Sequence, residues 1–123
     1  MNKQNEVNAY FHTHWDREWY MEYERYRLRL IEVFDNVLIA LKNNKLDWFW
    51  FDGQVAAILD YLEIKKEKKD EIKNFIKKKR LFIGPYYVSS DSFLVSCEFY
   101  LRNIEYGIKK SLELGCDNFI FYI

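Results

Sequence analysis

The chain has 123 residues, 50% hydrophobic and 20% aromatic, enough for one domain with a core of its own. Lys and Arg number 19 and Asp and Glu 19, so no net field favours nucleic acid or an anionic membrane as partner, and Cys97 and Cys116 lack the spacing of a disulfide framework or a thiolate zinc site. No apolar run reaches membrane-spanning length and the polar residues 1–6 hold no signal core, so a cytoplasmic protein is expected.

Residues 7–11 (V-N-A-Y-F) read as a short strand, and the segment H-T-H-W-D-R-E-W-Y at 12–20 begins where it stops. Across 21–42, Tyr23, Tyr26, Leu30, Phe34, Val37, Leu38 and Leu41 fall at helical spacing, with charged residues opposite and Asn43-Asn44 as the stop. Residues 46–51 (L-D-W-F-W-F) are almost wholly apolar, as a strand covered on both faces must be. Asp52-Gly53-Gln54 follows, then a short helix through Leu62.

Residues 65–80 read as a solvated amphipathic helix with Ile72, Phe75 and Ile76 inward; Glu67, Asp70 and Glu71 interleave the lysines and argue against a basic binding patch. A third strand region spans 81–88, interrupted by Gly84-Pro85 and followed at once by Ser89-Ser90-Asp91. Leu94, Cys97, Leu101, Ile104, Ile108 and Leu112 trace the apolar stripe of a last helix, stopped by Gly115, and 119–123 opens a fourth strand.

Strands alternating with helices predict an α/β fold with a parallel sheet. Such folds place their active sites beyond the C-terminal ends of the strands. Three polar clusters, His14/Asp16, Asp52/Gln54 and Asp91, each lie just past an apolar run, so they are expected to converge on one rim. Imidazole and carboxylate are ligands that zinc and its neighbours accept, and His14 and Asp16, two apart, can point the same way from an extended segment. His12 reads as a structural histidine. Asp91 has a second possible task, nucleophilic attack on an anomeric carbon. Trp15 and Trp19 offer flat faces to a sugar ring, although Trp15 serves equally well as packing. Asp52 is open between a substrate-hydroxyl acceptor and a helix N-cap, and Gln54 shares that ambiguity. Glu98 and Arg102 read as an i,i+4 ion pair rather than catalysts.

These segments, with F-D-G-Q at 51–54, I-G-P-Y-Y-V-S-S-D at 83–91, and L-V-S-C-E and R-N-I-E-Y-G within 94–107, resemble the N-terminal catalytic domain of glycoside hydrolase family 38, the retaining α-mannosidases. The F-D-G-Q block is most similar to the bacterial branch that includes mannosylglycerate hydrolases. The resemblance implies that His14, Asp16 and Asp91 are zinc ligands, that Asp91 is also the nucleophile, and that Trp19 stacks on mannose; Asp52, from its place after the second strand, is expected beside Trp19 as a substrate-binding residue. It implies one zinc per site, holding the mannose 2- and 3-hydroxyls, and an α-mannoside such as mannosylglycerate or a mannosyl oligosaccharide as substrate.

It also implies a partial (β/α) barrel, with 1–123 as about half of the family's catalytic domain. The family's remaining zinc ligand, a histidine, and its general acid, an aspartate, fall beyond the matched segments. Without the acid a retaining glycosidase is badly slowed, so the chain alone is expected to be inactive or weak. The alternative expectation is a non-catalytic remnant, or a split-enzyme subunit that needs a second chain to complete the barrel.

Overall fold

Leu30, Phe34, Val37, Leu38 and Leu41 recur every three or four residues along one helix, and all are buried, so the stripe read from the sequence is the face that packs. A computed structural model describes Val7 and residues 9–121. In chain order its elements are α1 (Tyr23–Lys42), β1 (Phe49–Trp50), α2 (Ala56–Ile64), a 3-10 turn (Lys66–Lys68), α3 (Lys69–Lys77), β2 (Leu81–Phe82) and α4 (Cys97–Glu113). The result is a helix-rich domain around a two-stranded parallel sheet, with Phe49 paired to Leu81 and Trp50 to Phe82. No helix of the described residues is long and apolar enough to cross a membrane.

The core lies between α1, α2 and the sheet. Phe34 stacks on Phe51 at 4.1 Å between ring centroids and on Tyr61 at 4.6 Å. All three rings are buried, each contributing on the order of 1.5–3 kcal/mol by leaving water. The Tyr61 hydroxyl reaches the edge of the core and donates to Asp35 Oδ1 at 2.6 Å. Ile72, Phe75 and Ile76 of α3 close the core from below, as their spacing predicts.

The strands are shorter than the apolar runs that suggested them, for identifiable reasons. Before β1, the Arg80 guanidinium takes the carbonyls of Leu46 (2.6 Å) and Asp47 (2.8 Å), so those groups are satisfied outside the ladder. After β2, Gly84 sits at φ +62° and Pro85 has no N–H to offer, and pairing resumes only at a single parallel bridge between Gln54 and Tyr86. Residues 9–11 form no strand, but His12 makes a parallel bridge to Trp50, held by Trp50 N–H to Phe11 O (3.1 Å) and Thr13 N–H to Trp50 O (3.3 Å). Residues 119–121 carry no strand; Asn8, Tyr122 and Ile123, the rest of the two outer strand expectations, lie outside the described residues. The basic segment 65–80 is broken at Lys65, whose φ of −105° and ψ of 59° leave the helical region, so a 3-10 turn precedes α3.

The stripe expected to bury α4 is corrected by the structure. Leu94, Cys97, Leu101 and Leu112 are exposed, Ile104 and Ile108 are only half-buried, and the buried residues within α4 are Asn103, Gly107 and Ser111. The helix lies directly on backbone: a Cβ at Gly107 would come within 2.2 Å of Pro85 O and 2.3 Å of Tyr87 N. A bulky side chain has no room on that face, so the small residues face in. The Asn103 amide completes the contact, donating to Val88 O at 2.7 Å and accepting from Val88 N–H at 2.9 Å.

Candidate active site

The chain leaves β1 through a tight turn. Gln54 N–H donates to Phe51 O at 2.8 Å, and the two residues between, Asp52 and Gly53, have φ of +49° and +71°. Positive φ at both central positions is the type I′ requirement, and Asp-Gly is among the pairs that meet it at least cost. The helix that follows has Val55, not Asp52, at its N-cap position, with no side-chain cap. Asp52 is therefore not a cap. Its carboxylate, 0% exposed, turns back toward the 12–14 segment that lies along β1.

There it meets two imidazoles. Asp52 Oδ2 is hydrogen-bonded to His14 Nδ1, and Oδ1 lies 3.5 Å from His12 Nδ1. On the far side of the same ring, His14 Nε2 is 3.5 Å from Asp16 Oδ1. Two ligand atoms bonded to one zinc at ~2.1 Å in tetrahedral geometry stand about 3.4 Å apart. The observed separation matches that edge, and a carboxylate behind the imidazole is the usual support of a metal-bound histidine. The donor set at His14 and Asp16 thus fits zinc.

Asp91 is positioned separately. It is exposed, its Oδ1 accepts from Phe93 N–H at 2.9 Å and its carbonyl accepts from Leu94 N–H at 3.1 Å, so the residue opens a turn ahead of α4. Among the described residues no group of three or more His, Cys, Asp or Glu side chains is arranged to hold a metal ion. The segment leading to Asp91 is nonetheless tied to the histidine segment. Gln54, only 4% exposed, donates from Nε2 to Trp15 O at 3.2 Å and accepts from Ser89 N–H through Oε1 at 3.1 Å.

An open recess of about 600 Å³ lies in front of these groups, lined by His14, Trp15, Asp16, Tyr20 and Tyr26 among others. Trp19 is 73% exposed, whereas Trp15 packs on the core and meets the Tyr26 ring edge-on at 5.7 Å. Burial raises the Tyr26 phenol, and its hydrogen bond lowers that of Tyr20.

Arg17, which the sequence reading passed over, anchors the loop. It makes a bidentate pair with Asp60 of α2, Nε to Oδ2 at 2.7 Å and Nη2 to Oδ1 at 2.8 Å, and Nη2 also reaches the Tyr23 hydroxyl at 3.2 Å. The hydrogen bonds to Asp60 raise the guanidinium pKa further above its ordinary value. Its only sequence signal was a cation set among the motif's ligands. Glu98 and Arg102 form the i,i+4 pair expected of them, at 2.8 Å.

Comparison with known proteins adds three findings. The family described as glycosyl hydrolases family 38 N-terminal domain matches residues 4–113. A Halalkalibacterium halodurans protein, provisionally named a mannosylglycerate hydrolase, is 43% identical over 105 residues, which cover 85% of this chain and 12% of that protein. The crystal structure of an α-mannosidase from Enterococcus faecalis V583 superposes with a TM-score of 0.83 at 42% identity, over 87% of this chain and 12% of that one. That of a family 38 glycosyl hydrolase protein from Enterococcus faecalis gives 0.83 at 36%, over 93% and 13%.

Proposed function

The chain belongs to glycoside hydrolase family 38, and from that premise we propose that it is the N-terminal part of a zinc-dependent retaining α-mannosidase, built on a partial (β/α) barrel. It spans about an eighth of the length of the relatives it matches, so the activity belongs to a larger catalytic unit. The observation that carries the reading is the 3.5 Å spacing of His14 Nε2 and Asp16 Oδ1 with Asp52 behind the ring.

In this reading His14 and Asp16 would hold the metal, joined by Asp91 once the larger domain brings it to them and by a further ligand from the rest of that domain. Zinc, when bound, supplies a Lewis acid for the sugar hydroxyls. Trp19 offers its exposed ring to the apolar face of the sugar. Asp91 forms a bond to the anomeric carbon as the bond to the leaving group breaks, and an acid from the remainder of the domain supplies the proton to the departing oxygen. Phe93 N–H fixes one Asp91 oxygen and so orients the attacking group. The substrate is an α-mannoside, with mannosylglycerate favoured by the name of the relative. Both cysteines are free, which supports a reducing, cytoplasmic setting.

The chain, fused to the remainder of the Enterococcus faecalis α-mannosidase, is the test. We expect one zinc per molecule by elemental analysis, loss of that zinc in His14→Ala and Asp16→Ala, and a fall in kcat of at least about 10³-fold on an aryl α-mannoside in Asp91→Ala. Full zinc retention in both ligand variants contradicts the reading. The exposed Leu101 and Leu112 of α4 offer apolar surface to the rest of the domain, whether that part belongs to the same chain or, in a split enzyme, to a second one. In the split case, co-expression with that part as a second polypeptide yields a stable heterodimer, and two chains that elute apart rule that case out.

A further inference from the structure

We infer that Asp52 is a positioning residue that selects the tautomer of His14, holding the proton on Nδ1 so that Nε2 keeps its lone pair toward Asp16. The inference rests on the zinc reading above for its purpose, but not for its geometry. A neutral imidazole carries one proton, and whichever nitrogen bears it cannot ligate. Both ring nitrogens face a carboxylate, but Asp52 is hydrogen-bonded to Nδ1 whereas Asp16 lies 3.5 Å from Nε2, so the closer acceptor draws the proton to Nδ1 and leaves the lone pair on Nε2. The same orientation directs Nε2 to within 3.5 Å of Asp16 Oδ1.

The carboxylate is well placed for this work and poorly placed for contact with a sugar. It is fully buried, set by a left-handed turn, and flanked by His12 Nδ1 at 3.5 Å as well as by His14. His14 and Asp16 line the recess, whereas Asp52 is not among its lining residues and has no exposed surface. The substrate-binding role expected of Asp52 from its position is therefore replaced, in this proposal, by support of the ligand itself.

The test is spectroscopic and needs no turnover. Nitrogen-15 shifts and long-range proton–nitrogen correlations of the histidine rings, recorded above neutral pH without metal, report which nitrogen of His14 carries the proton. The comparison uses the unaltered chain, Asp52→Gly and Asp52→Asn. Glycine removes the carboxylate yet tolerates the positive φ, and asparagine keeps an acceptor without charge. We expect an Nδ1–H tautomer in the unaltered chain, largely retained in Asp52→Asn, and a shift to Nε2–H, the form imidazole prefers in water, in Asp52→Gly.

Zinc affinity, read by competition with a chromophoric chelator, should weaken about 10–100-fold in Asp52→Gly and less in Asp52→Asn. An unchanged His14 tautomer in Asp52→Gly overturns the inference. An unaltered chain that holds the Nδ1–H tautomer but takes up no zinc supports the orientation by Asp52 and counts instead against the metal reading.

Discussion

Gln54 is the side chain on which the relative placement of two motif segments turns. Its amide spends one hydrogen bond on Trp15 O and another on Ser89 N–H, and the side chain is buried between them. Gln54→Ala leaves both backbone groups without that partner, at a cost of about 1–3 kcal/mol for each that stays dry. Gln54→Glu keeps the acceptor for Ser89 but sets a carboxylate against the Trp15 carbonyl. Urea denaturation should place both variants below the parent, and an unchanged midpoint in Gln54→Ala would show that the bridge contributes nothing. At this scale the histidine–aspartate motif was legible because its chemistry is concentrated in a few consecutive residues. The partner of His14 was not, because Asp52 lies 38 positions away and only the turn after β1 brings it back.

Among the elements, α1 was legible and α4 was misread, and the contrast has a physical cause. The apolar period of α1 coincides with its contact surface because α1 packs on side chains. α4 packs on the backbone of the Pro85–Tyr87 stretch, where small residues spaced by four (Asn103, Gly107, Ser111) mark the contact, and the apolar stripe lies beside it, with Ile104 and Ile108 half-buried and Leu101 and Leu112 exposed. Gly107→Ala is the discriminating substitution. In an exposed helix the change stabilises by roughly 1 kcal/mol. Here the added carbon meets Pro85 O at 2.2 Å, so the chain must shift, and a loss of about 1–3 kcal/mol should appear as a lowered thermal midpoint. A rise would mean that α4 does not rest on that backbone. The short strands escaped sequence reading for a similar reason: apolar runs report burial, while ladder length depends on the carbonyls that Arg80 takes from pairing and on the N–H that Pro85 lacks.

For the molecule as a whole, alkali is the informative stress. Burial, with the Tyr100 hydroxyl second, pushes the Tyr86 phenol up to about 12, and burial with Asp35 raises Tyr61 as well. Unfolded, each ionises near pH 10.0. Below that value both states hold their protons and the contribution to stability is intact; as pH climbs toward 12 the unfolded chain releases protons that the folded one retains, and stability falls. Tyr86→Phe should flatten part of that decline in denaturation curves recorded across the window, and an identical slope would remove Tyr86 from the account.

The exposed side of α4 predicts a second global property. Leu101 and Leu112 share one side of α4 and are each more than half exposed, so a hydrophobic dye should bind there, and Leu101→Lys should weaken its binding with less than about 0.5 kcal/mol change in stability. Dye binding that survives the substitution would place the patch elsewhere.

Because α4 is held by the Asn103 amide and by the close approach of Gly107 to residues 85–87, the placement of its exposed Leu101 and Leu112 depends on those two contacts. A shift of α4 forced at Gly107 therefore displaces the apolar surface offered to any neighbouring polypeptide.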